Sequence, residues 1–319
     1  MYTDAGWEPK LQATQIQRLF EDSAGNVIYC KRDDLYPLSF GGNKARKARG
    51  FFREIDKGNY DCVVTYGSSS SNHCRVVANM AAGRALPCYI ISPAEASEPT
   101  YNSMMTGVFG AETTVVPVEA VHDTIEAKLA ALKAQGKQPY FIAGGGHGNL
   151  GTQAYVDCYE EMLAQETELD ICFDYVFFAS GTGTTHAGLV CGQLIHGDKK
   201  HIVGISIARK NPRGRKVVMD SIWDYLSEKE LFIPESEVEA ATVFIDDYTG
   251  EGYGKDSEEV KACVRALLVT QGIPTDTTYT AKAFCGMTKY LQKNEVAGSN
   301  ILFIHTGGTP LFFDTLKQL

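Results

Sequence analysis

The most informative segment of this chain reads Gly41-Gly42-Asn43-Lys44-Ala45-Arg46-Lys47, and it lies between a predicted strand at 27–31 and a predicted amphipathic helix. Its three cations stand at the start of that helix, where the helix dipole disfavours positive charge. A solvated basic helix start is the ordinary interpretation, but an anionic ligand would explain the charges better. Neighbouring cations and partial burial lower the pKa of an amine, so Lys44 is a candidate nucleophile or base.

Composition places the chain among globular proteins that have one large or two smaller α/β domains. It has 319 residues, of which 44% are hydrophobic and 22% charged, and its net charge is −9. The negative charge argues against nucleic acid or an anionic membrane surface as a partner. The nine cysteines show no metal-binding spacing, and the N-terminus lacks the features of a signal peptide. We therefore expect a cytoplasmic protein with reduced thiols, no membrane span and no metal.

Short apolar runs alternate with helical patterns along nearly the whole chain. Continuous apolar strands separated by helices indicate parallel sheets that are covered on both faces. No linker or repeat is visible, so we expect a small domain at 53–163, a large domain made of 1–52 and 164–319, and an active site in the cleft between them. The predicted strands are 27–31, 62–66, 88–92, 113–116, 140–143, 175–179, 202–207, 242–245 and 301–305, and the predicted helices are 72–85, 125–135, 152–163, 184–195, 258–270 and 281–292.

Small polar residues follow four of the predicted strands, at the positions where ligands bind in open parallel sheets. The loop Ser180-Gly181-Thr182-Gly183-Thr184-Thr185 is the clearest candidate for binding a phosphate, because its backbone amides, its hydroxyls and the following helix start supply donors. A tight turn capped by threonine is the simpler alternative. The other loops are 67–73, 144–148 and 306–308. All four are expected to border one cleft.

A dinucleotide site is a weaker interpretation of the same phosphate loop. Gly181 and Gly183 are followed by His186 where that motif would have its third glycine, and no acidic residue ends the next strand. Arg209 follows that strand and could meet a 2′-phosphate, so this alternative stays open. A Walker-type loop is absent from the sequence.

Two further groups of residues are candidates for binding a substrate or cofactor. Ser71, Asn72 and His73 begin a predicted helix whose free amides suit a carboxylate, although capping alone would explain Ser71 or Asn72. His73 is better interpreted as a packing residue than as a general base. Tyr253 and Tyr279 could pack on an aromatic cofactor or transfer protons, but most of the sixteen tyrosines are expected to be structural.

Taken in this order, these segments resemble the pyridoxal-phosphate enzymes of fold type II, the tryptophan synthase β class. The likeness is strongest to the branch that contains D-cysteine desulfhydrase and 1-aminocyclopropane-1-carboxylate deaminase. It covers nearly the whole chain and implies an α/β fold of two domains, each with a mainly parallel sheet flanked by helices. The matching segments are 31–35, 40–47, 71–73, 144–146, 180–185, 252–254, 279–283 and 305–308.

The resemblance also implies roles for individual residues. Lys44 would form the Schiff base with pyridoxal 5′-phosphate and take the α-proton of the substrate. The implied catalytic residues are Lys44, Ser71, Tyr253 and Tyr279. The residues implied to bind the cofactor are Asn43, Lys44, Lys47, Asn72, Gly181, Thr182, Gly183, Thr184, Thr185, Tyr279 and Thr306. Those implied to contact the substrate are Ser70, Ser71, Asn72, His73 and Tyr253.

The activity implied by the resemblance is that of a lyase of amino-acid metabolism, which eliminates a β-substituent from a small amino acid. D-cysteine is the first candidate substrate, because Thr280 stands where the deaminase has glutamate. Ser69 and Ser70 replace the aliphatic residue and glutamine that are usual in the family, which leaves the identity of the substrate open. The alternatives are a β-replacement synthase, the ring-opening deaminase, and a pyridoxal-phosphate-binding protein without turnover. A homodimer is also implied.

Overall fold

The computed structural model describes residues 12–250, 254, 257–317 and 319, and it contains two sheets flanked by helices. The strands are β1 (Ile16–Glu21), β2 (Val27–Lys31), β3 (Cys62–Tyr66), β4 (Cys88–Pro93), β5 (Glu112–Val116), β6 (Pro139–Ile142), β7 (Tyr175–Ser180), β8 (His201–Ser206), β9 (Val243–Ile245) and β10 (Asn300–Ile304). The helices are α1 (Asn43–Lys57), α2 (Asn72–Ala82), α3 (Tyr101–Val108), α4 (Val121–Ala134), α5 (Asn149–Leu169), α6 (Thr184–His196), α7 (Arg213–Glu228), α8 (Glu235–Ala241), α9 (Glu258–Gln271), α10 (Thr280–Lys293) and α11 (Thr309–Leu316).

The two sheets are mainly parallel, as predicted. The larger has the strand order β1-β2-β10-β7-β8-β9, and the smaller has the order β5-β4-β3-β6. Among the described strands, only β1 and β2 pair antiparallel, at the edge of the larger sheet. Parallel strands need helical crossovers, which cover both faces of each sheet and account for the continuous apolar runs. The predicted α/β class is therefore confirmed, and each predicted strand overlaps an observed one.

Each sheet has its own apolar core. In the smaller one, Phe52 of α1 and Val76 of α2 pack with Val63 of β3. In the larger one, Tyr155 of α5 and Val190 of α6 pack in one cluster with residues of β7 and β8. The chain leaves the larger sheet after β2 and returns to it at β7, an order that agrees with a small domain at 53–163. Those boundaries stay a prediction, and α1 itself packs against both α2 and α5.

A buried ionic cluster joins the start of α1 to β2 and α5. Arg46 donates from Nη2 to Asp33 Oδ1 at 2.7 Å and from Nη1 to Glu161 Oε2 at 2.8 Å. Lys31 Nζ donates to Glu161 Oε1 at 2.5 Å, and the Tyr155 hydroxyl donates to Asp33 Oδ2 at 2.8 Å. Burial alone would raise the pKa of Asp33, but the charge and hydrogen bonds of Arg46 outweigh it and lower this pKa to about 2. The cluster fixes the helix turn that carries Lys44.

Within the part of the chain that the structure describes, no helix combines the length and apolarity needed to cross a membrane. The nine cysteines all lie in that part and are free thiols. Most of them are buried, whereas Cys172 is exposed. The buried cysteines are in the surroundings of small apolar core residues.

Candidate active site

A cavity of about 500 Å³ is lined by the loops that follow β3, β6, β7, β8 and β10. These strands belong to both sheets, and the cavity lies at their carboxyl ends, as the sequence predicted. Its lining includes the two cations Lys44 and Arg209, whereas no aspartate or glutamate is among the described residues that line it. The cavity therefore suits an anionic ligand.

Lys44 lies in the first turn of α1, and its Nζ donates to the backbone oxygen of Gly145 at 3.0 Å. Gly42, just before the helix, has a φ of +89°, and a Cβ there would lie 2.7 Å from the oxygen of Thr306. Glycine thus lets α1 begin directly against the loop after β10. Burial and the nearby charge of Arg209 lower the pKa of Lys44 to about 8. An appreciable fraction of this amine is neutral near pH 8, as a nucleophile requires.

The predicted phosphate loop forms another wall of the cavity. Gly183 ends it with a φ of +104°, and α6 begins at the next residue. Thr185 accepts a hydrogen bond from Asn43 Nδ2 at 3.0 Å, and Thr184 accepts one from Lys47 Nζ at 2.7 Å. The cavity lining includes Asn43, Gly181, Thr182, Gly183 and Thr185, whereas Lys47 and Thr184 are outside it. Burial, and then the charge of Lys44, lower the pKa of Lys47 well below its usual value.

His186, at the position of the missing third glycine, is a buried residue that packs against β8. A Cβ on Gly204 would lie 2.4 Å from His186 Nδ1, so this strand accommodates the ring only because it has glycine there. Burial lowers the pKa of His186 to about 3, which keeps the imidazole neutral. Arg209 does line the cavity, and it donates from Nη1 to the backbone oxygen of Gly181 at 2.8 Å.

Some of the residues predicted to contact the substrate from the serine-rich loop and the start of α2 line the cavity, and one does not. Ser68, Ser71, Asn72 and His73 line it. Ser71 Oγ accepts from the backbone of Cys74 at 3.1 Å, which caps α2 and leaves the hydroxyl proton of Ser71 available to an anion. Ser70 is not among the described lining residues, and its hydroxyl lies 3.1 Å from that of Ser68. Its contact with substrate stays a prediction.

His73 is held as a neutral ring. Thr65 Oγ1 donates to the backbone oxygen of Ile142 at 2.7 Å, so at 2.9 Å from His73 Nε2 it accepts the imidazole proton. Burial, followed by the charges of Lys44 and Lys47, lowers the pKa of His73 to about 3. A base this weak supports the packing interpretation over general-base catalysis.

Tyr279 and Thr306 also line the cavity. The backbone nitrogen of Tyr279 donates to Asp276 Oδ1 at 2.7 Å, which fixes the start of α10. Thr280 donates its hydroxyl to Asp276 Oδ2 at 2.9 Å and is outside the cavity lining. Tyr253, the other tyrosine predicted to act, lies outside the described residues.

Several lining residues had no predicted role at this cavity. One ends β3, one directly follows β8 and one lies on α7, and the rule that ligands bind beyond strand ends would have identified the first two. The members of this group are Tyr66, Ile207 and Val217.

The residues present fit pyridoxal phosphate. Lys44 is an amine of lowered pKa that could react with the aldehyde. The loop before α6 offers hydroxyls, two glycines and a helix start to the phosphate. The ring of Tyr279 and the hydroxyl of Thr306 could face the pyridine and its nitrogen.

Comparisons with known proteins agree with this fit. The pyridoxal-phosphate dependent enzyme family matches residues 8–307. A D-cysteine desulfhydrase of Serratia proteamaculans is 34% identical, over 94% of this chain and 93% of the relative. A 1-aminocyclopropane-1-carboxylate deaminase of Mesorhizobium japonicum is also 34% identical, over 93% and 91%. The crystal structure of an ACC deaminase homologue is 30% identical with a TM-score of 0.87, over 98% of this chain and 95% of that one. The predicted fold type and cofactor are thereby confirmed, and the chain belongs to the family of pyridoxal-phosphate-dependent enzymes.

Proposed function

We propose that this protein is a lyase that converts D-cysteine and water to pyruvate, ammonia and sulfide by α,β-elimination. The observation that carries the proposal is a lysine of lowered pKa in a cavity whose described lining has cations but no acid. The relatives named D-cysteine desulfhydrase support the choice of substrate. Thr280 supports it as well, because it stands where the resemblance gives the deaminase a glutamate.

Lys44 would perform the central proton transfer. When bound, pyridoxal phosphate withdraws electrons from the α-carbon of the substrate. Lys44 Nζ would hold the cofactor through its aldehyde group. With its pKa lowered to about 8, the Lys44 amine would be partly neutral at neutral pH and would take the α-proton of the substrate. The Cβ–S bond of the substrate would then break, and the sulfur would leave with the bonding electrons as hydrosulfide.

The start of α2 would bind the substrate carboxylate. Ser71 lines the cavity with a hydroxyl proton that its capping bond does not use, and the first amides of a helix favour an anion. Arg209 adds positive charge to the same cavity. Tyr253 remains the predicted acid–base partner on the substrate side, and Tyr279 the predicted ring-packing residue.

A substrate panel tests this function. We expect purified protein to release pyruvate and sulfide in equal amounts from D-cysteine, with ammonia measured in the same samples.

The second candidate is the deaminase, which the 34% identical relative and the ACC deaminase homologue favour. Release of 2-oxobutyrate from 1-aminocyclopropane-1-carboxylate, with no sulfide from cysteine, would establish it instead. Formation of a new β-substituted amino acid from an added thiol or amine would indicate β-replacement, and no keto acid from any D- or L-amino acid would indicate a binding protein.

We predict that apoprotein binds pyridoxal phosphate covalently at a rate that rises with pH and has its midpoint near pH 8, because only the neutral amine of Lys44 reacts. Arg209→Gln should move the midpoint to higher pH, since the charge of Arg209 lowers the pKa of Lys44. The rate is measured from the growth of visible absorbance after mixing. Lys216→Gln, which removes an exposed cation paired with Asp220, is the matched control and should leave the midpoint unchanged. An unshifted midpoint in Arg209→Gln would refute the role given to this charge.

We also propose that the protein is a cytoplasmic homodimer, with its active site between the 53–163 domain and the rest of the chain. The family resemblance supports the dimer, and the acidic composition is compatible with a cytoplasmic enzyme. Light scattering of the purified protein tests the oligomeric state, and a mass equal to one chain would contradict it.

A further inference from the structure

Arg75 is a buried cation that the mechanism above does not use. It lies on α2, and its side chain is fully buried. Among the described residues, its Nε and Nη2 have no hydrogen-bond partner. Burial lowers the pKa of Arg75 to about 10, so the guanidinium still carries its charge at neutral pH. A buried cation without a carboxylate partner is costly, which indicates that its charge or its geometry serves a purpose.

Arg75 fixes the side-chain amide of Asn72. Its Nη1 donates to Asn72 Oδ1 and to Asn102 Oδ1, both at 3.0 Å. Asn102, which is buried on α3, donates from Nδ2 to Asn72 Oδ1 at 3.0 Å and to the backbone oxygen of Ser70 at 2.9 Å. Because Asn72 Oδ1 accepts two hydrogen bonds, the amide can have only one orientation, and its Nδ2 is the group left to donate elsewhere. Asn72 lines the cavity, whereas Arg75 and Asn102 do not.

We propose that Arg75 and Asn102 are positioning residues that hold Asn72 so that its Nδ2 donates a hydrogen bond to an anionic oxygen of the bound cofactor. The charge of Arg75 polarises the Asn72 carbonyl, which makes the amide hydrogens stronger donors, and hydrogen bonds to charged groups are the stronger kind. The proposal rests on the cofactor contact proposed for Asn72 and on no choice of substrate. The competing interpretation is that Arg75 only packs, since its guanidinium also lies 5.8 Å from the centre of the Phe40 ring.

A double-mutant cycle on cofactor affinity separates the two interpretations. We expect Asn72→Ala and Arg75→Met each to raise the dissociation constant of pyridoxal phosphate for the apoprotein by about tenfold or more, the range for one charge-assisted hydrogen bond. The double variant should show no larger loss than Asn72→Ala alone, because Arg75 acts through Asn72. The readouts are equilibrium titration by absorbance and the visible spectrum of the loaded protein, which Asn72→Ala and Arg75→Met should alter in the same way.

Two further variants complete the test. Arg84→Met removes a surface cation that pairs with Asp56, and it should leave both readouts unchanged. Asn102→Ala keeps the buried cation, so if Arg75→Met does not fold, Asn102→Ala replaces it in the cycle with the same expectation. Additive losses in the cycle, or an unaltered spectrum in both single variants, would overturn the proposal. Because affinity and spectrum are measured without substrate, failure of D-cysteine turnover would leave this result standing.

Discussion

Lys44→Ala is expected to lower turnover by more than about 10⁴-fold. Removing one oriented acid–base group costs about 10²–10⁴-fold, and this variant also loses the covalent anchor of the cofactor. The neighbouring Lys47 cannot take over the role, because it bonds to Thr184 at 2.7 Å and lies outside the cavity lining. The visible absorbance of the covalently bound cofactor should disappear with the activity.

Lys57→Ala is the matched control for this variant. Lys57 lies on the same helix, in its last turn, and is exposed. Lys57→Ala should leave turnover and visible absorbance close to those of the native protein, because surface substitutions usually have small effects. If Lys44→Ala kept near-normal turnover, or kept the absorbance of the covalently bound cofactor, Lys44 would not be the reacting amine.

The central strands could be predicted from the sequence, because a strand that is buried on both faces has a nearly continuous run of apolar residues. Cys62-Val63-Val64-Thr65-Tyr66 is a continuous apolar run, and β3 has the predicted bounds. By contrast, β1 was missed because it is a half-buried edge strand in which Gln17, Arg18 and Glu21 interrupt the apolar residues. Apolar runs therefore identify the central strands of a sheet better than its edge strands.

The end of α5 illustrates a second limit. Its prediction ended at 163, whereas the helix continues to Leu169. Gln165 and Glu166, which suggest a surface, are both buried there. Gln165 accepts a hydrogen bond from Lys31 at 2.6 Å, and Glu166 accepts one from the backbone of Phe173 at 2.6 Å. Polar residues can be buried when each finds a partner, and a single sequence does not reveal those partners.

The candidate site was predictable in part for the same reasons. Lys44 and the loops at the strand ends follow from local pattern and from the rule for ligands in parallel sheets. The support of Asn72 was not predictable, because Asn102 is thirty residues away along the chain and lies on α3, which the sequence pattern did not predict. Arg75 reaches the Asn72 carbonyl from the next turn of the same helix, whereas only the fold brings Asn102 to it.

Asp33→Ala is expected to destabilise the fold by about 3–5 kcal/mol, since it leaves the buried Arg46 without one of its two carboxylates. The pKa of Asp33 is lowered from 3.8 to about 2 in the folded state, so its stabilising effect is present above about pH 4 and is lost as the pH falls through 2. Denaturant unfolding should therefore give a lower free energy of unfolding for the variant than for the native protein at neutral pH. This difference should become smaller as the pH falls.

Asp56→Ala removes a carboxylate of the same size from an exposed pair with Arg84 and is the matched control. Exposed pairs contribute about 0–1 kcal/mol, so the control should unfold almost as the native protein does. Arg46 is two residues after Lys44 on α1, and the Asp33 cluster fixes that turn against β2 and α5. A folded Asp33→Ala protein should consequently bind pyridoxal phosphate more weakly as well. Equal unfolding midpoints for Asp33→Ala and Asp56→Ala would show that the turn carrying Lys44 is held by apolar packing instead.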